Sequence, residues 1–256
     1  MEDVRLLFSD FKMKADYTQS TSVMKHLGYN DNEISTIVTS IKQGYFSYMP
    51  IKYKTGRINK DKVNGVDIPT MWMSDECATS KTILLLAQDP LRNLKYMEIG
   101  GAQQIQKEDI QNYTVIGTPY ALHVTDPYIK SKLKLKVAIY RELIDALIIH
   151  LDCRVYCTDI FKYYPNTRII NNFDKNILSE EIKLIKPNLC VCLGKFAQMA
   201  INEIDFQIKH INAPHPRAWP KSWKKWRAEN DITESSDYSS SAKVSNIIAL
   251  VKRTFQ

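Results

Sequence analysis

Four short elements hold the residues best suited to chemistry: Gln88-Asp89-Pro90, Tyr120, Asp159 and His215-Pro216. Between them they offer two carboxylates, an imidazole, an amide and an aromatic ring. Gln88-Asp89-Pro90 directly follows the apolar run Ile83–Ala87, which reads as a short buried strand of a parallel sheet. In an open α/β sheet, ligands bind in the crevice at the carboxyl ends of the strands. A carboxylate held there by a stiff X-Pro turn is a functional candidate. The stretch alone equally allows Asp89 to cap the next helix.

The elements that must position these residues follow from the apolar patterning. Lys132–Asp152 has the strongest helical signal, with Leu135, Ile139, Leu143 and Leu147 repeating every four residues. Arg154–Thr158 reads as a strand ending at Asp159. A helix is expected from Ser179-Glu180-Glu181 to Ile185, stopped by Pro187. Leu189–Leu193 is a third buried strand, turned by Gly194 into a helix over Lys195–Asn202. Phe206–Ile211 is a fourth, running into Ala213-Pro214-His215-Pro216. Strands and helices alternating at this spacing predict a parallel sheet covered on both faces. All four candidate elements then fall at one end of that sheet.

Ahead of this pattern, residues 1–75 hold little that looks catalytic. Asn30-Asp31-Asn32-Glu33 offers caps for one helix, and the basic, turn-rich stretch Met49–Val66 reads as a hairpin or loop. Near the other end, Lys221–Ser241 starts with Trp223, Lys224, Lys225, Trp226 and Arg227 and turns acidic and serine-rich, which predicts a flexible excursion. Its Trp and Lys residues suit either a stacking and phosphate patch or a packed surface loop. Ala242–Phe255 is a closing helix.

A chain of 256 residues can bury one substantial core, and 44% apolar with 25% charged residues is an ordinary globular composition. No apolar run reaches the roughly 18 residues a membrane span needs, and the N-terminus lacks a signal peptide's apolar core. A cytoplasmic location is therefore expected. Five cysteines, an odd number, argue against a disulfide framework. Cys190 and Cys192 share one face of a strand and are expected to be reduced, and Cys153 and Cys157 lack the spacing of a metal site. No metal and no cofactor are expected. The net charge of +7 permits a polyanionic partner without demanding one.

Taken in order, five motifs resemble those of the uracil-DNA glycosylase superfamily. Ala87-Gln88-Asp89-Pro90 is similar to the family's GQDP segment, and Gly117-Thr118-Pro119-Tyr120 to the turn that supplies a ring stacking on the flipped base. Residues 155–168, VYCTDIFKYYPNTR, resemble the strand that ends on the base-reading residue. Residues 186–197 resemble the strand-Gly-Lys-helix segment, and His215-Pro216-Arg217-Ala218-Trp219 the HPSP-type loop. The likeness covers about residues 76–255.

The resemblance implies a role for each residue. Asp89 would orient water and stabilise the positive charge developing on the sugar. His215 would hydrogen-bond the departing base. Tyr120 would stack on the extruded base, with Gln88 contributing its backbone N–H beside it. Pro90, Arg92, Lys195, Pro216, Arg217 and Trp219 would face DNA, Trp219 standing where the family places a residue that wedges into the stack.

Two departures stand out. Leu91 follows QDP where the family commonly has tyrosine, whose bulk rejects the thymine methyl. Asp159 replaces the asparagine whose amide pairs with both uracil N3–H and O4. Either Asp159 is protonated and donates to O4, or the pocket prefers a base presenting an amine.

The expectation is thus a three-layer α/β/α fold with a central, mainly parallel four-stranded sheet. An N-terminal extension over 1–75 would precede a glycosylase-like domain over 76–256, excursion included. The resemblance implies a monomeric, monofunctional DNA N-glycosylase leaving an abasic site. The alternative is a catalytically inactive DNA-binding relative. A nucleotide or nucleoside hydrolase using the same crevice is disfavoured by the absence of a phosphate-cradling glycine loop.

Overall fold

The computed structural model describes residues 13–16, 21, 25, 30–35, 47–50, 65–66, 69–74, 76–88, 113–116, 138–162, 175–204, 207–233 and 238–255. Asp89, Pro90, Leu91, Arg92 and Tyr120 lie outside them.

The centre is a parallel set of four strands: β5 (Thr82–Ala87), β7 (Arg154–Asp159), β8 (Leu189–Leu193) and β9 (His210–Ala213). Their order across the sheet is β7-β5-β8-β9, all parallel. The mainly parallel, four-stranded core expected from the sequence is therefore present, but the sheet is wider. β1 (Met13–Asp16) and β4 (Thr70–Ser74) extend it antiparallel beyond β7, giving six strands. Two segments ahead of residue 76 thus belong to the same sheet.

Three more strands, β2 (Ser47–Pro50), β3 (Gly65–Val66) and β6 (Tyr113–Ile116), form a separate small sheet. β2 and β3 flank the basic stretch read as a hairpin, yet each pairs with β6 rather than with the other.

Successive strand residues point to opposite faces, and the sheet is buried on both. Ile83, Leu85, Val155, Cys157, Val191 and Leu193 face one cluster, which α1 (Ala138–Leu151), α4 (Pro220–Glu229) and α5 (Ser240–Phe255) cover. Leu84, Leu86, Tyr156, Cys190 and Cys192 face the other, beneath α2 (Lys175–Ile185) and α3 (Lys195–Glu203). Cys190 Sγ and Cys192 Sγ lie 3.5 Å apart as free thiols on that face.

Several boundaries differ from expectation for physical reasons. α2 begins at Lys175, not near Ser179, because its apolar face already includes Ile177 and Leu178; Ser179 is buried within the helix. β9 starts at His210 rather than Phe206, at the point where the ladder to β8 begins. The largest difference is the expected flexible excursion. Pro220–Glu229 is helix, because Trp223 and Trp226, three residues apart, fall on one face and bury in the core. The Trp226 indole N–H donates to the Asn212 carbonyl of β9, fastening α4 to the sheet edge. Far upstream, Asn30 and Glu33 form a reciprocal capping box, each backbone N–H donating to the other's side chain at 2.9 Å.

Candidate active site

The parallel register carries the candidate residues to one edge. Ala87 pairs opposite Asp159, so Gln88 emerges beside Asp159 at the carboxyl ends of β5 and β7. The chains stay paired one step further: the Ile160 N–H donates to Ala87 O and the Phe161 N–H to Gln88 O, both at 3.1 Å. β8 ends in Gly194-Lys195 and β9 leads into His215, both at that same edge. In the strand order β7-β5-β8-β9, the ends carrying Gln88 and Gly194 lie between the end carrying Asp159 and the turn carrying His215.

The wall carrying Asp159 is buried. Asp159 is 2% exposed. Beneath it lies a closed polar network linking β7 to α2. Lys162 Nζ meets Glu181 Oε2 at 2.5 Å and donates to Thr158 Oγ1 at 2.6 Å. The Tyr156 and Thr158 hydroxyls donate to Glu181 Oε1 at 2.9 and 3.1 Å. A buried ion pair is tolerated when its oxygens are met: here Oε1 accepts two hydroxyls, and Oε2 faces the lysine ammonium. Lys162 is therefore committed to structure; its ammonium is not an available amine nucleophile.

The wall carrying His215 is a loop pinned from several sides. The Arg217 N–H donates to His215 Nδ1 at 3.1 Å. In the neutral ring that bond assigns the proton to Nε2, which then donates to the Tyr140 hydroxyl oxygen 3.0 Å away. The Ala218 N–H closes the turn onto His215 O at 2.7 Å. Lys243 Nζ donates to Pro216 O at 3.0 Å, and partial burial lowers the Lys243 pKa.

Gly194 supports the same loop from β8. Its φ of +92° belongs to a region reserved for glycine, and a Cβ here would come within 3.1 Å of His215 Cβ. The Gly194 N–H donates to Ala213 O at 2.8 Å, and Gln198 Nε2 donates to the same oxygen at 3.1 Å.

Of the residues expected to face DNA, Lys195, Arg217 and Trp219 are exposed, Trp219 at 81%. Pro216 is buried within the turn. Tyr140, Gly194, Lys243 and Glu181 emerge as supports of the two walls that sequence reading did not assign. Tyr140 lies 75 residues from His215, and no local pattern connects them. Among the described residues, no group of three or more His, Cys, Asp or Glu could hold a metal ion, and no helix is long and apolar enough to cross a membrane.

A doubly covered, mainly parallel sheet with polar residues at its carboxyl edge defines an α/β protein of the class whose members bind ligands at that edge. Residues 78–236 match the family model of the uracil DNA glycosylase superfamily, and the chain belongs to that superfamily. No curated protein shows significant similarity to it.

Proposed function

We propose that the protein is a monofunctional DNA N-glycosylase that hydrolyses the glycosidic bond of a flipped uracil or related damaged base, leaving an abasic site. The observation that carries this reading is the convergence of Gln88, Asp159 and a doubly hydrogen-bonded His215 on one sheet edge, within a chain of this superfamily. In the reaction water adds to the sugar C1′ as the C1′–N bond breaks, and the base leaves with the bonding pair. Asp89, following directly on Gln88, is assigned to orient that water and to offset the positive charge on the sugar. His215 is assigned to hydrogen-bond the base as negative charge develops on it, its Nε2–H turning from the Tyr140 hydroxyl to the arriving base. Tyr120 is assigned to stack on the base, and Arg92 to the DNA backbone.

Asp159 decides which base is read. Its carboxyl is buried, so its hydrogen bonds run to protein and bound base rather than to bulk water. Protonated, it accepts from uracil N3–H and donates to O4; ionised, it suits a base presenting an exocyclic amine. Leu91 is smaller than the family's tyrosine and so has less bulk with which to reject a 5-methyl group. Base preference is therefore not plain uracil-versus-thymine discrimination.

The test is base release, followed by alkali-sensitive cleavage, on oligonucleotides containing uracil, hypoxanthine, xanthine or thymine opposite each partner. Release that disappears in Asp89→Ala supports the glycosylase and names its base. An Asp159→Asn variant that releases uracil no better, with no other base released by wild type, removes the idea of altered preference. The second reading is a DNA-binding relative without chemistry, favoured by Asp159 standing where the amide is expected. Intact DNA binding with no release from any substrate would select it.

A further inference from the structure

The surface that continues from the His215 turn is cationic in a patterned way. Trp219, the most exposed large apolar side chain among the described residues, is the N-cap of α4, and Pro220 takes the first helical position. Beyond it, Lys221, Lys224 and Lys225 are all exposed. At about 100° per residue these three fall within roughly 100° of arc, opposite the buried Trp223 and Trp226. They form a stripe about 6 Å long running away from Trp219.

This arrangement does nothing for the helix itself. The first turn of α4 holds no acidic residue, so Lys221 sits where the helix dipole disfavours a cation. Lys221 with Lys224, and with Lys225, are like charges at helical-neighbour spacing, which repel. Other cations nearby are engaged with protein. Arg227 lies 5.0 Å over the Tyr238 ring and donates to its hydroxyl, and Lys243 is bound to Pro216 O. Glu229, 3.6 Å from Lys225, offsets only the far end of the stripe. What relieves such a stripe is an external polyanion.

We propose that α4 is a phosphate-tracking ridge, in which Lys221, Lys224 and Lys225 hold the backbone of the nucleic acid strand whose bases meet Trp219. The identity of the partner rests on the glycosylase reading; the ridge rests on its own geometry. Affinity from such contacts is independent of sequence and falls with salt because releasing condensed counterions gains less entropy as bulk salt rises.

The experiment measures equilibrium binding of a fluorescent, undamaged DNA duplex across a salt series. Wild type is compared with Lys221→Gln/Lys224→Gln, the triple variant adding Lys225→Gln, and Lys183→Gln on α2 as a charge control. The slope of log Kobs against log salt is expected to fall by about 0.9 for each ridge lysine removed and to stay at the wild-type value in the control. Thermal unfolding should show the variants as stable as wild type or more so, since repulsion is removed. An unchanged slope in the triple variant overturns the ridge, whether or not base release is found. A wild type that releases no base but loses its slope in the triple variant keeps the ridge and overturns the enzyme. Lysine-dependent binding to phosphatidylserine vesicles with an unchanged DNA slope would assign the stripe to a lipid surface and overturn the proposal.

Discussion

The two walls of the candidate site are built by opposite means. The Asp159 wall stands on paired strands and a buried charge network, with Lys162 and Glu181 sealed between β7 and α2. The His215 wall is a turn outside the sheet, held by single hydrogen bonds to Tyr140 and from Arg217 and Lys243 and by the missing side chain of Gly194. On the proposed function, a rigid wall suits the residue assigned to read a base edge, where small displacements erase discrimination. A turn fixed through few contacts suits the donor assigned to meet an arriving base, and each of its contacts can be removed singly.

The largest effect should come from the rigid wall. Lys162→Met leaves Glu181 buried without its cation, and breaking such a pair costs about 3–5 kcal/mol. Denaturant unfolding should show that loss, whereas Lys162→Met/Glu181→Leu should recover much of it. If the single variant unfolds like wild type, the Asp159 wall does not depend on the network. Next comes Gly194→Ala, which forces a side chain into a glycine-only conformation and against His215 Cβ. Strain of about 1–3 kcal/mol is expected, together with a loss of base release larger than the loss of DNA affinity. Tyr140→Phe is milder. It removes one hydrogen bond of about 1 kcal/mol, and a similar loss of orientation at His215 corresponds to roughly fivefold in single-turnover release. Equal release by the variant would mean that the Arg217 N–H alone orients the ring.

How far each wall was legible in the sequence follows from the same difference. β5, β7 and β8 were readable to within a residue, because strands buried on both faces are continuous apolar runs with polar residues at their ends. Gln88, Asp159 and His215 were readable as candidates because they occupy those ends. The antiparallel strands β1 and β4 were not, since neither carries a distinctive alternation and their partners lie far along the chain. α4 was misjudged because Lys221–Arg227 is mostly charged. Its two tryptophans are enough to anchor it, but only against a sheet edge that the sequence does not display. Tyr140 and Gly194 escaped for a related reason: their meaning lies in contacts to His215.

Alkaline pH acts with opposite sign on the buried sheet and on the lysine that holds the His215 turn. Burial pushes the Cys153 thiol, at the head of β7, from an ordinary 9.0 up to about 12, and the Cys190 thiol in β8 is also raised well above that value by burial and by Cys192. Between about pH 9 and 12 the unfolded chain has released the Cys153 proton while the folded chain keeps it. Stability from this group is complete below pH 9 and falls by about 1.4 kcal/mol per pH unit across that window. Lys243 runs the other way. Its pKa is lowered by desolvation, so just below its ordinary 10.5 the folded chain holds fewer protons than the unfolded one, and rising pH relieves a penalty. Replacing Cys153 with Ala should therefore flatten the decline of Tm above pH 9, and replacing Lys243 with Met should steepen it slightly. Thermal melts of the two variants at matched ionic strength check both signs. If both change the slope in the same direction, the lysine beneath the His215 turn is not desolvated, and the looser wall is more open to water than its hydrogen bonds to Pro216 and Tyr140 imply.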